Sequence, residues 1–204
     1  MTDARQRILD RVKAALAAVA DKRPLPDYPA DIALSRGAEV PGDAVARFRE
    51  RLHAVGGRSF TDAAALAAWL GEQRVTRGYC DPALADWLAP TLGAAVALET
   101  TFVRERIDDY QFGITRARAA VAETGSLVLD DMTTATRLAA LAPWIHIAVV
   151  TPDRIVPDVA AAIAALGDDP NIIFCTGPSK TADVEGILIE GVHGPGEQVA
   201  LIGA

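Results

Sequence analysis

The sequence predicts an α/β fold: a Rossmann-like, mostly parallel sheet flanked by helices, with an N-terminal helical extension. Three observations predict it. From residue 59 onward, short apolar runs alternate with Ala- and Leu-rich stretches of helical length. The run Ile145–Val150 is apolar at nearly every position, the pattern of a strand covered on both faces. The chain has 204 residues, 50% of them hydrophobic, enough for one large core. Alternation of helices with strands of this kind points to parallel pairing under a helical cover.

Each element has its own justification. Residues 4–19 read as an amphipathic helix, because Ile8, Val12, Leu16 and Val19 recur at helical spacing while Arg5, Arg7, Asp10 and Arg11 fall elsewhere. Pro24, Pro26, Pro29 and Pro41 then punctuate a stretch that reads as a linker or arm. A short helix over 43–55 puts Val45, Phe48 and Leu52 on one face. The spacing predicts a helix over 61–72 with Thr61 as N-cap, a strand over 75–79, a helix from Asp81-Pro82 to Leu88 and a strand over 94–98. Residues 114–122 read as a helix, 126–129 as a strand, 134–141 as a helix, 145–150 as a strand and 153–166 as a helix. Strands over 172–175 and 199–202 follow, and 182–190 fits either a helix or a strand. The division expected is a helical extension and arm over 1–55, then an α/β domain over 56–204.

Composition excludes several classes. A net charge of −7, few aromatics and no basic cluster argue against a nucleic-acid surface, which needs cationic density. Cys80 and Cys175 stand far apart with no CxxC pair, so they read as reduced core thiols rather than a disulfide, a metal site or an iron–sulfur cradle. His53, His146 and His193 lie in separate contexts without ligand spacing for zinc. No apolar run approaches the roughly 20 residues of a membrane span, and no apolar core follows the N-terminus, so a cytoplasmic protein is expected.

The residues that can carry chemistry cluster near the C-terminus. From Ile155 onward Lys180 is the only Lys or Arg, amid seven carboxylates, and it is flanked by Ser179 and Thr181. A lysine is a compact charge with three donors, suited to one oxyanion. Following the run Ile172-Ile173-Phe174, these three residues are expected in a loop at a strand's carboxyl end, where open α/β sheets bind ligands. Ser179, Lys180 and Thr181 are therefore expected to hold a small anion, against the alternative that the lysine pairs with a neighbouring acid. The segment is not a P-loop, since the GxxxxGK[ST] spacing is absent. His193, in Gly191-Val192-His193-Gly194-Pro195, is a loop histidine able to do acid–base work. His146, inside the apolar strand, reads as a satisfied core residue. Glu123 ends the expected helix, a position the macrodipole disfavours for an anion, which suggests a site. Asp130 and Asp131, at the carboxyl end of the 126–129 strand, read as a cap for the next helix or else as a general base or ligand contacts, and Arg137 as a cation that either reaches an anionic substrate or lies on a solvated face.

Two segments taken together, Gly113-Ile114-Thr115 running into Ala122-Glu123-Thr124-Gly125-Ser126, and GPSKTADVEGILIEGVHGPGE from Gly177 to Glu197, resemble the lactate utilization protein C family, whose domain is called LUD. The resemblance covers residues 112–202. It implies a layered fold similar to those of glucosamine-6-phosphate deaminase, ribose-5-phosphate isomerase and CoA-transferases. It implies an accessory role beside iron–sulfur partner proteins in oxidising L-lactate to pyruvate. The cluster-binding cysteines of the B-type partner are missing from this chain, which implies no cluster and no cofactor of its own. Two alternatives stand beside that role. One is an independent CoA-transferase-like or sugar-phosphate-isomerase-like enzyme, with Glu123 as nucleophile or base and Lys180 holding the anion. The other is a scaffold for the partner subunits.

Overall fold

A computed structural model describes residues 2–19, 43–166, 171–182 and 187–203. The chain divides into two units, 1–34 and 35–204. The first holds α1 (Thr2–Ala17), a helix as its apolar spacing predicts. The proline-punctuated arm lies outside the described residues.

The second unit opens with α2 (Ala44–Ala54), β1 (Arg58–Phe60), α3 (Ala63–Glu72), β2 (Arg77–Cys80), α4 (Pro82–Leu92) and β3 (Ala97–Glu99). It continues with β4 (Phe112–Arg116), β5 (Ala119–Val121), β6 (Ser126–Asp130), α5 (Arg137–Leu141), β7 (Ile145–Val150) and β8 (Ile155–Val156). Then come α6 (Val159–Leu166), β9 (Ile172–Cys175), β10 (Lys180–Ala182), β11 (Leu188–Glu190) and β12 (Glu197–Ile202). Aspartates start four of the helices: the side chains of Asp43, Asp62, Asp81 and Asp158 accept from backbone N–H groups two or three residues on. Asp62 rather than Thr61 therefore caps α3.

Six strands form the main sheet in the order β1-β12-β7-β4-β2-β3, and every pairing in it is parallel. The fold is α/β with helices over the sheet, as the alternation predicts. On one face, Leu66, Leu70, Leu84, Leu88 and Leu92 of α3 and α4 cover Phe112, Ile114, Ile147 and Leu201. The other face is covered by α2, α5 and a second sheet of order β8-β5-β6-β9. α6 closes the far side of that second sheet over Val121 and Val128. α2 buries Phe48 and Leu52 completely between the layers.

Residues 114–122, expected to be helical, are instead β4 and β5. Phe112 and Ile114 point to the α3/α4 core, and this period of two overrides the helix propensity of the alanines. At Ala117 and Arg118 the chain changes sheets. The Ala117 N–H donates to Val149 of the main sheet, and the Arg118 N–H donates to Val128 of the second. The expected helix over 153–166 is likewise shorter: β8 and Pro157 precede α6. α5 starts at Arg137 rather than Thr134, because Asp130 ties Thr133 into a turn at 2.6 Å. Of the ambiguous stretch 182–190, residues 188–190 form a strand and 183–186 lie outside the described residues.

His146 is fully buried in β7 and has partners on both sides. Its Nε2 lies 2.9 Å from the Thr115 hydroxyl and its Nδ1 lies 2.9 Å from the Gln198 amide nitrogen. Burial pushes its pKa down from 6.5 to about 4, so it is neutral at neutral pH. The unfolded chain then binds a proton below pH 6.5 that the folded chain refuses until about pH 4. Stability is complete above 6.5 and falls with pH through that window by about 1.4 kcal/mol per unit. Urea unfolding at pH 7.5 and 5 is expected to show a loss of roughly 2 kcal/mol from this residue. That loss should be missing in His146→Gln, whatever the variant's absolute stability; equal pH dependence in both proteins would contradict the assignment.

Cys80 is buried and Cys175 half-buried, in different sheets, and burial pushes their thiols up to about 12 and about 11. No helix among the described residues is long and apolar enough to cross a membrane.

Candidate functional site at the carboxyl edge of the main sheet

From β2 the chain moves outward to β3 at the sheet edge, then returns to β4 on the opposite side of β2. This reversal leaves a crevice between the carboxyl ends of β2 and β4, where open parallel sheets take ligands. Next to it, over the carboxyl ends of β4 and β7, lies a cleft of about 300 Å³ lined by Leu84, Arg116, Ala117, Arg118, Met132, Thr133, Val149, Thr151 and Arg154.

Buried acids orient its cations. Asp81, directly after β2, is 1% exposed. One of its oxygens caps α4 at Ala83, and the other accepts from Arg116 Nε at 2.8 Å. The guanidinium is thus gripped through Nε, and among the described residues Nη1 and Nη2 have no hydrogen-bond partner. Such a group presents its terminal N–H pair to a carboxylate or phosphate. Arg118 is held similarly, with Nε 3.6 Å from the buried Asp130 and Nη2 donating to the Ala165 carbonyl at 3.0 Å. Arg154 is only loosely tied, 3.9 Å from the exposed Asp153. Each of the three arginines thus faces one aspartate, and Asp81 and Asp130 are buried while Asp153 is exposed. The Thr134 hydroxyl donates to the Arg116 carbonyl at 2.9 Å, fastening the turn after β6 to the end of β4.

The residues singled out from the sequence fall into two places. Lys180 begins β10, which pairs with β11 in a two-stranded ribbon rather than forming a loop at the end of a parallel strand. Its Nζ lies 3.4 Å from Glu190 and 3.5 Å from the Val55 carbonyl. Ser179 and His193 meet in the same ribbon, where the His193 N–H donates to the Ser179 hydroxyl at 3.3 Å. Thr181 pairs with Ile189. The glycines around them serve packing: side chains at Gly191 or Gly196 would strike the Trp144 ring, and one at Gly177 would strike Val55. Glu123 lies in the β5–β6 turn, half-buried, and not at a helix end. Five residues of strand and turn separate it from Arg118, up to about 16 Å. Arg137 lies beyond the opposite end of β6, with Nε 2.7 Å from Asp131. Ser179, Lys180 and His193 are therefore brought together, while Arg137 is on the arginine-cleft side of β6 and Glu123 is not.

The LUD domain family matches residues 45–202. The chain belongs to the LUD domain family. Among curated relatives, lactate utilization protein C of Deinococcus radiodurans is 33% identical over 91% of each chain. Lactate utilization protein C of an Exiguobacterium species is 42% identical over 41% of this chain and 40% of its own length. The Bacillus subtilis protein of that name is 33% identical over 45% of this chain and 41% of its own. The crystal structure of a DUF162 family protein from Deinococcus radiodurans superposes with a TM-score of 0.56, at 26% identity, covering 78% of this chain and 96% of that one.

In this LUD domain, sequence reasoning missed Asp81, Arg116, Arg118 and Arg154. Reading 114–122 as a helix placed Arg116 and Arg118 on different faces of it. As the end of a strand, the same i, i+2 spacing puts both at one corner. The available signal was Asp81-Pro82 directly after an expected strand, together with the arginines at 116 and 118.

Proposed function

We propose that this protein serves lactate utilization in the cytoplasm, as an accessory subunit that binds a small anionic ligand beside iron–sulfur partner proteins. The relatives named lactate utilization protein C support the setting. The observation that carries the ligand half is Arg116, which lines the cleft and is gripped through Nε by the buried Asp81, its terminal nitrogens without a hydrogen-bond partner among the described residues. A cleft of about 300 Å³ suits a compact carboxylate or phosphate rather than a whole nucleotide cofactor. The test is growth on L-lactate as sole carbon source in a strain carrying Arg116→Gln at normal protein level. Growth is expected to fail or slow severalfold while growth on glucose is unchanged, and wild-type growth on lactate would refute the role of the cleft.

A second reading keeps one observation in its favour. The turn carrying Glu123 and the ribbon carrying Lys180 both pack on the C-terminal turn of α2, through Gly125 against Leu52 and through Lys180 against Val55. Among the described residues the Glu123 carboxylate has no hydrogen-bond or ion-pair partner. This arrangement suits a CoA-transferase-like enzyme with Glu123 as nucleophile and Lys180 as the anion holder. Incubation with acyl-CoA donors would then leave a covalent adduct on Glu123, and an unchanged protein mass discards it.

A further inference from the structure

Met132 is 82% exposed and lines the same cleft as Arg116, Arg118 and Arg154. It sits in the turn after β6 whose two flanks are fixed to the cleft. Asp130 on one side holds the Thr133 N–H and lies beside Arg118, and Thr134 on the other side holds the Arg116 carbonyl. The backbone that carries the methionine is therefore fixed beside the two arginines. It is also the most exposed sulfur side chain among the described residues, since Cys80 is buried and Cys175 half-buried. A thioether needs no deprotonation to react with peroxide, and exposure governs its oxidation.

We propose that Met132 is an oxidation site whose sulfoxide closes the arginine cleft. Hydrogen peroxide transfers one oxygen to the sulfur: the O–O bond breaks, an S–O bond forms, the sulfur loses two electrons and water leaves. The product carries a strong hydrogen-bond acceptor where an apolar group stood. Arg116 lines the same cleft, and its Nη1 and Nη2, without a hydrogen-bond partner among the described residues, are the donors available to it. A capped guanidinium no longer presents its fork to an anion, and methionine sulfoxide reduction restores it. The functional consequence rests on the anion-binding reading above, but the closure itself does not.

The experiment reads arginine accessibility, so it needs no knowledge of the ligand. Wild type and Met132→Leu are treated with hydrogen peroxide, oxidation of Met132 is followed by peptide mass, and the rate of phenylglyoxal addition to Arg116 is measured in each. The expected result is one added oxygen on Met132 and a drop of about fivefold in the Arg116 rate, the equivalent of one hydrogen bond, with no drop in Met132→Leu. Three results would overturn the proposal: Met132 unoxidised in the folded protein, an unchanged Arg116 rate once it is oxidised, or an equal drop in the leucine variant. Failure of untreated protein to bind anions through Arg116 is a separate outcome. It removes the ligand reading and leaves the phenylglyoxal result standing.

Discussion

Gly125→Ala is expected to lower the free energy of unfolding by about 2–5 kcal/mol, from two separate sources. Gly125 has φ +71, in the left-handed region where a Cβ is strained. A Cβ there would also sit 2.5 Å from the Arg51 carbonyl carbon and strike the Leu52 backbone. The turn between β5 and β6 is the surface on which α2 rests, so the added methyl lifts the helix that buries Phe48 and Leu52. Gly71→Ala is the control. Gly71 lies within α3, with nothing inside 4 Å of an added Cβ. Its replacement should be neutral or stabilising by up to about 1 kcal/mol. Urea unfolding of both variants checks the pair; a wild-type midpoint for Gly125→Ala would mean that α2 does not rest on this turn.

Arg116→Gln is expected to weaken binding of small anions tenfold to a hundredfold, since a charge-assisted hydrogen bond contributes about 1.5–3 kcal/mol. Arg116→Lys keeps the charge and loses the planar fork, so it separates the two contributions. An intermediate loss is expected, and full affinity in the lysine variant would show that only net charge matters. Calorimetric titration with L-lactate, pyruvate and inorganic phosphate measures all three proteins on one scale. The affinity that Arg116 confers should fall in the same order for whichever of these anions binds.

The layered α/β plan was legible because it rests on burial, and burial shows as apolar runs: Ile145–Val150 and Ile172–Cys175 are strands at those bounds. Residues 114–122 were not legible, since alanine suits both a helix and a buried strand. What decides there is a register across sheets, with Ala117 bonded to Val149 and Arg118 to Val128. Those partners lie 32 and 10 residues away along the chain, beyond any local pattern. The site suffered from the same error, because the arginines gather only when that segment is extended. Lys180 was conspicuous as an isolated charge, and the alternative weighed for it, a pairing with a neighbouring acid, is met across the β10–β11 ribbon by Glu190. The glycines of its segment were legible as close approaches. The partners they admit are Trp144 and Val55.

The most direct measurement is the position of an anion. Crystals soaked in selenate and measured at the selenium edge should show an anomalous peak within hydrogen-bond reach of Arg116, at the carboxyl end of β4. The same soak of Arg116→Gln crystals should lose that peak. A peak beside Ser179 and Lys180, with the arginine cleft empty in wild type, would contradict the account and return the site to the ribbon.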